Sequence, residues 1–550
     1  MRAALLAALL ATLPSGGGAQ LGSPWRARRS AVSPAVISAA GAPPVQRFSQ
    51  RVDHFDALNN ASWPQRYFAN ETFWAAGDRS AVFLCVGGEG PALEPSVVVT
   101  GGSHCADAVV LAARTGALLL ALEHRFYGES VPAPDVTTAS LRLLSSRQAL
   151  ADVASFLGYA SQRFGFTPST RVIAFGGSYP GMVAAWSRLR FPHLIHAAVA
   201  SSAPVAPALN FAGYNDAVGA ALENPRVGGD AACGAATRAA FAALGDALRT
   251  PEGRRSLEQA FPICAPEAAG GVTLAVSPGG AGPLDDDVAA AGLTEDLSYF
   301  FPAQSNDPAC AQPACNIQRV CGVMRADPGN NGGVNATSAP LERLAALAAA
   351  AVPAGDCLAE GRAAVRAQLT DTSLAGGGAR VWLWQTCVEF GFFQTCDPDS
   401  RCPFTSSPWL NSLDSQLDAC RIAFGDVAAQ GAAAAVATTA AEFGALTPGS
   451  SRVMYVNAEI DPWYAASIAK PPGEQTPVLL VRGASHHAWT HPPQPTDSPE
   501  ARALQCLSFR GSDACILSAD CGGSRRHWRA GGGVAARRAV SIRRQRLRVV

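Results

Sequence analysis

The sequence predicts an α/β protein, a parallel sheet with flanking helices and a long helical insertion. Three observations carry this. Apolar, turn-bounded runs recur at 81–88, 117–124, 171–178 and 195–204. Helix-period stretches lie between them. The apolar runs then return at 452–461 and 477–487, after a long interval rich in Ala, Gly and Pro. Strand, helix, strand, helix, strand is the pattern of parallel strands joined by right-handed crossovers.

The strands are read from "AVFLCVGG", "ALLLALEH", "RVIAFGGS" and "IHAAVASSAP", and later from "RVMYVNAEID" and "PVLLVRGASHH". Residues 145–164 repeat Leu150, Val153, Phe156 and Leu157 at helical spacing. "YPGMVAAWSRLRF" reads as a second helix directly after the third strand. Residues 207–378 break the rhythm, carry six cysteines and show helical stretches such as "LERLAALAAAAV". They are expected to form an inserted helical cap, dividing a core into 46–206 and 379–521.

The 550 residues are 48% hydrophobic and 16% charged, enough for a full core. Formal net charge is zero, so nucleic acid is not an expected partner. Lys470 is the only lysine; the remaining positive charge is arginine. Arg2, the short apolar run from Ala3 to Leu13 and the small residues up to Ala19 form a secretory signal pattern, 1–19, too short to span a bilayer. Residues 20–45, with "RARRS", read as a disordered or pro-peptide segment. The tail 522–550, with nine arginines and no acid, reads as solvated and disordered. No membrane span is expected.

Fifteen cysteines fit an oxidising compartment. So do three glycosylation sequons, at Asn60, Asn70 and Asn335. No pair of Cys-x-x-Cys units exists, so no metal is expected. An odd count leaves one cysteine over. Cys85, inside an apolar strand, is expected to be the free, buried one.

The chemistry centres on "FGGSYPGMVAAW", 175–186. Ser178 lies between a strand and a helix, the context of a nucleophile elbow. The expected glycine two places on is replaced by Pro180, with Gly181 one place late. Proline is compatible with a first helical turn, where its missing N–H has no intrahelical partner. A serine nucleophile needs a base and a group to orient it. Asp461 and His486 stand just past the two late strands, in the order Ser, Asp, His of the α/β-hydrolase fold. An oxyanion hole needs two amides. Tyr179, after the nucleophile, and Gly88, in "VGGEGP" after the first strand, are expected to provide them. Glu89 would either hold that loop or face a substrate amine.

Long stretches along the folded region carry a resemblance: "VDHFD", "QRYF", "GGEGP", "ALEHRFYGES", "RQALADVASF", "GGSY", "MVAAWSRLRFP", "ASSAPV", "VWLWQTCVEFGFFQT", "IDPW" and "GASHH". The chain resembles the serine peptidase family of lysosomal prolyl carboxypeptidase, quiescent-cell proline dipeptidase and thymus-specific serine protease. The resemblance implies an α/β-hydrolase fold with a helical cap insertion. It implies a serine exopeptidase acting on peptides, often after proline, of carboxypeptidase or dipeptidyl-peptidase type, with no cofactor. It implies a secreted or lysosomal protein, and is compatible with a homodimer. It makes Ser178 the nucleophile, Asp461 the orienting acid and His486 the base. Met182 and Trp463 fall where the family builds a proline-sized pocket; plain core packing is the alternative. Two departures stand out. Pro180 replaces a small residue, and "AWTH" (488–491) replaces a stretch whose arginine recognises a substrate carboxylate in carboxypeptidase members. An esterase on the same fold, or an inactive peptide-binding homologue, is the competing reading.

Overall fold

Alternation along two apolar runs builds the centre of the protein. Val82, Leu84 and Val86 of one strand join Leu118, Leu120 and Leu122 of its neighbour in one core. Phe83 and Cys85 join Leu119 and Ala121 in a second core on the other face. Strands buried on both faces read as continuous apolar runs, which is why they were visible in the sequence. The computed structural model describes residues 42–504 except 75–79, 101–103, 265–266, 269–271, 274–281, 313, 328–332, 336, 398–399, 405–411 and 493, together with 507–509 and 515–517. The signal pattern at 1–19, most of the segment 20–45, and the basic tail lie outside these residues.

Eight strands form the main sheet: β1 (Gln46–Arg51), β2 (Ser62–Asn70), β3 (Ala81–Val86), β4 (Leu118–Leu122), β5 (Arg171–Gly177), β6 (Ala197–Ser201), β7 (Val453–Ala458) and β8 (Val478–Val481). Their spatial order is β1-β2-β4-β3-β5-β6-β7-β8. From β4 to β8 every pairing is parallel. At one end the sheet is extended by two strands that the sequence reading did not include, and β2 pairs antiparallel with both β1 and β4. The reason is chain length. The connection from β1 to β2 is too short for a crossover, so the pair can only be antiparallel. Order and orientation are those of an α/β-hydrolase sheet.

Helices α1 (Ala106–Thr115), α2 (Ser146–Phe164) and α3 (Tyr179–Arg190) connect the central strands. α1 packs on the second core through Ala108, Leu111 and Ala112. α2 and α3 pack on the first through Val153, Phe156, Val183 and Trp186. The limits of α2 follow from local chemistry. Ser145 caps it by accepting from the Gln148 N–H, and Gly165 ends it at φ 67°.

Between β6 and β7 the chain is largely helical, including Ala231–Leu248, Asp287–Ser298, Ile317–Arg325 and Pro340–Ala351. The six cysteines of 207–378 pair among themselves: Cys233–Cys321, Cys264–Cys357 and Cys310–Cys315. Cys387–Cys420 and Cys396–Cys402 follow. Cys85 is corrected from a free thiol to a disulfide partner of Cys105. Its side chain faces the second core, where Cys105 at the start of α1 lies over the strand, so an apolar neighbourhood did not mean an unpaired sulfur. No helix among the described residues is long and apolar enough to cross a membrane.

One buried ion cluster ties β1, β4 and α2 together. Arg125, 0% exposed, donates to both Asp152 oxygens at 2.6 Å and to the carbonyls of Val52 and Leu143 at 3.1 and 2.8 Å. His54 meets the same carboxylate at 2.8 Å. Removing one partner of such a pair strands a charge in a low-dielectric interior. Asp152→Ala should therefore cost about 3–5 kcal/mol of stability, measured by denaturant unfolding.

Candidate active site

β3, β5, β7 and β8 run in the same direction, so the loops after them gather at one edge of the sheet. In open α/β sheets this carboxyl edge is where ligands bind. Ser178 follows β5 directly, at φ 64° and ψ −133°. This region is sparsely populated for a residue with a Cβ and costs about 1–3 kcal/mol. Its surroundings impose it. The Ser178 N–H donates to the Ser201 carbonyl at 2.9 Å, and the Met182 N–H bonds back to the Ser178 carbonyl at 3.1 Å.

The glycines explain the unusual motif. A Cβ on Gly176 would lie 2.2 Å from the Pro180 carbonyl oxygen, so strand and helix approach too closely for any side chain. A Cβ on Gly181 would lie 3.0 Å from Ala203 and from the Gly176 carbonyl oxygen, so the late glycine packs α3 onto β6. Pro180 lies in the first turn of α3. A Cβ on Gly88 would come within 2.4 and 2.5 Å of the Pro180 ring. The proline thus presses on the very loop expected to form the oxyanion hole. Tyr179 is the first residue of α3, where a backbone N–H has no intrahelical acceptor.

Asp461 caps the 3₁₀ turn Pro462–Ala466 by accepting from the Trp463 N–H at 2.9 Å. Its two oxygens lie 2.9 and 2.8 Å from His486 Nδ1. Both groups are buried, at 1% and 2% exposure. With Nδ1–H committed to the carboxylate, Nε2 is the basic nitrogen of neutral His486. It is shielded from solvent and makes no hydrogen bond. Ser178 remains partly accessible, and its hydroxyl faces the Glu89 carboxyl instead. The adjacent His487, at φ 36°, packs its ring on Gly177 and donates its N–H to Ser202 Oγ at 2.9 Å. The base loop therefore rests against the elbow, although the Ser178–His486 hydrogen bond is not made.

The remaining expectations divide. Trp463 is enclosed by Phe211, Tyr214 and Phe392, ring centroids 5.6, 5.4 and 5.3 Å away, with His486 at 6.2 Å. Met182 is 0% exposed inside the main core, so here it offers a ligand no surface and acts as packing. Asn60 and Asn335 are exposed. Asn70 is half-buried, with Nδ2 donating to the Val98 carbonyl at 2.8 Å. "AWTH" is mostly interior: Trp489 donates to Ser201 Oγ at 2.9 Å and Thr490 meets His487 Nδ1 at 3.0 Å. Among the described residues, Cys85, His104 and Cys105 have metal-like spacing, but the two sulfurs are bonded to each other.

Sequence reasoning missed two sets of residues. Gln304, from the insertion, accepts from the Trp463 Nε1–H at 3.1 Å, from the Tyr214 hydroxyl at 2.6 Å and, through its carbonyl, from the His486 N–H at 3.2 Å. The second set clamps the Tyr179 ring. Burial pushes His124 down to about 4, so it is neutral. Its Nδ1 lies 2.7 Å from the Arg125 carbonyl and must donate, so Nε2 accepts from the Tyr179 hydroxyl at 3.0 Å. Gln385 donates to the same hydroxyl at 3.0 Å and to Glu389 at 3.2 Å, and accepts from Tyr127 at 2.6 Å. The sequence stretches "ALEHRFYGES" and "VWLWQTCVEFGFFQT" held these residues, but nothing local shows that they meet.

Three outcomes are expected. Gly88→Ala should slow phosphonylation of Ser178 by a fluorophosphonate on the order of 100-fold, since the oxyanion loop must move. Adding Pro180→Ala should recover part of that rate. Tyr179→Phe should leave His124 Nε2 and one Gln385 N–H unpaired and lower stability by about 1–3 kcal/mol, read by thermal unfolding.

Residues 50–270 and 297–506 match the family described as serine carboxypeptidase S28. The chain is 38% identical over 475 residues to the thymus-specific serine protease of Homo sapiens, covering 84% of this chain and 85% of that protein. It is 37% identical over 469 residues to the thymus-specific serine protease of Mus musculus, covering 84% and 86%. A shorter match, 35% identical over 161 residues, covers 29% of this chain and 31% of the lysosomal Pro-X carboxypeptidase of Pongo abelii. Elbow, hydrogen-bonded Asp–His pair and a likeness over 84% of the chain agree: the chain belongs to the serine carboxypeptidase S28 family and is a serine peptidase.

Proposed function

We propose that this serine peptidase is an exopeptidase that cleaves after proline through an acyl-enzyme, with Ser178, His486 and Asp461 as its triad. The observation that carries the reading is the buried Asp461–His486 hydrogen bond beside the strained Ser178 turn. Asp461 holds Nδ1–H, so Nε2 can take the Ser178 proton as Oγ attacks the scissile carbonyl. The required approach of Ser178 to Nε2 is a rotation of the serine side chain away from Glu89. The amides of Tyr179 and Gly88 receive the oxyanion. His486 then protonates the leaving amine, and water hydrolyses the ester.

Proline preference is supported by the aromatic cluster around Trp463 beside His486, a surface of the kind on which a saturated pyrrolidine ring packs, and by the likeness to Pro-X carboxypeptidases. Exopeptidase action is supported by the contacts of Gln304 and Asn306 with the base loop, which fit residues 207–378 acting as a cap that narrows access to the site. The disulfides and the lysosomal relatives support a secretory route ending outside the cell or in lysosomes.

The test is fluorophosphonate labelling of wild type and Ser178→Ala, followed by prolyl peptides free or blocked at each end. Wild type should label and the variant should not. Cleavage that needs a free carboxylate marks a carboxypeptidase; cleavage that needs a free amine marks a dipeptidyl-peptidase. Folded wild type that fails to label removes the proposed mechanism, and labelling without prolyl cleavage removes the specificity.

A further inference from the structure

A carboxyl group stands at the nucleophile that no step above uses. Glu89 follows Gly88 in the loop after β3, and the Ser178 hydroxyl faces its carboxyl. Its Oε2 is sealed from solvent and has no hydrogen-bond partner. The loop is held at both ends. The Gly87 N–H donates to the Leu122 carbonyl at 2.9 Å, and the Leu93 N–H donates to Glu123 Oε1 at 2.8 Å. Glu123 is in turn fixed by Arg66 at 2.9 Å and Ser130 at 2.6 Å. The loop that carries the carboxyl is thus anchored on both sides, and Glu89 itself is half-buried.

Its protonation follows from its surroundings. Burial pushes Glu89 up to about 8, against smaller opposing pulls from its own backbone N–H and from Ser178. The titratable groups that interact with it are the phenols of Tyr127 and Tyr179. His124 lies behind Tyr179 and is neutral. No cation contributes to holding the Glu89 charge. Below about 8 the group is therefore an uncharged acid with an O–H to give.

We propose that Glu89, as a neutral carboxylic acid, donates a hydrogen bond to the oxyanion alongside the amides of Tyr179 and Gly88. The inference rests on the acyl-enzyme reading above. As Oγ turns from Glu89 to Nε2 and binds the carbonyl carbon, the carboxyl that it leaves stays next to Gly88, whose amide is expected to receive the oxyanion. In the step, the Ser178 proton passes to His486 Nε2 as the Oγ–C bond forms, and the carbonyl π pair moves onto oxygen. Glu89 keeps its proton and shares it in the hydrogen bond. On collapse the pair returns, the C–N bond breaks and His486 gives its proton to the amine. An ionised Glu89 would repel the same oxyanion, so raising pH through about 8 removes a donor and installs a like charge.

The experiment measures phosphonylation of Ser178 by a neutral fluorophosphonate against pH, for wild type, Glu89→Gln and Glu89→Ala. This probe carries no amine and no proline, so it is independent of the substrate preference. Wild-type labelling should fall as pH rises above about 8. Glu89→Gln, which keeps an N–H donor and cannot ionise, should stay within about threefold at the optimum and lose the alkaline fall. Glu89→Ala should be slower by about 10²–10³-fold. An alkaline fall unchanged in Glu89→Gln, or Glu89→Gln as slow as Glu89→Ala with both melting like wild type, overturns the proposal. Equal labelling of all three, with loss confined to peptides bearing a free amine, assigns Glu89 to amine binding and also overturns it. If a variant melts early, the wild-type profile decides, and absence of the alkaline fall rejects the proposal. Wild type that labels but cleaves no prolyl peptide removes the specificity reading and leaves this one standing.

Discussion

Ser178 holds φ 64° only because the chain around it has no Cβ atoms where they would collide. The strand must end and the helix must begin within one residue, so backbone from Gly176 and Pro180 comes into contact. That contact aims the hydroxyl out of the sheet and leaves the first amide of α3 without an intrahelical partner. Every other part of the site is placed relative to this turn. Gly181 seats the helix on β6, Gly177 accepts the ring of His487, and Gly88 fits under the ring of Pro180. The cost of one strained residue is small beside the core that surrounds it, which is how the turn persists.

The strain is supported from the outside by a polar chain whose donors and acceptors are fully assigned. Neutral His124 can only accept at Nε2 once Nδ1 donates to the Arg125 carbonyl, and this fixes the direction of every bond through Tyr179, Gln385 and Tyr127. A network with one consistent direction resists rotation of the Tyr179 ring, and with it the adjacent amide. Trp382 and Phe390 pack on the same ring, with centroids 5.7 and 5.3 Å away. The stretch 382–390 thus contributes to the site from a part of the chain far from the elbow in sequence.

Residues 207–378 meet the site through polar and aromatic contacts and carry three disulfides of their own. Gln304 receives hydrogen bonds from both the Trp463 loop and the His486 loop. Ser485 donates to the Asn306 carbonyl at 3.2 Å. The six cysteines of 207–378 pair with one another rather than with the sheet, while Phe211 and Tyr214 of the same stretch pack on Trp463.

The sequence by itself determined the strands with both faces buried, the helices with strong periodicity and caps, and the order Ser178, Asp461, His486. Those features are local: apolar runs, helical spacing, and chemistry-bearing residues just past strand ends. The edge strand β1 escaped because only one of its faces is buried, and its neighbour β2 because Gln65 and Arg66 interrupt its apolar run. Cys85 was misjudged because disulfide connectivity is a property of distance, and its partner becomes near only when α1 folds over β3. Tertiary structure alone decided that Met182 is core, that Pro180 packs against Gly88, and that Glu89 faces Ser178 without a cation. Each depends on which side chains become neighbours and lose water, and neither spacing nor composition records that.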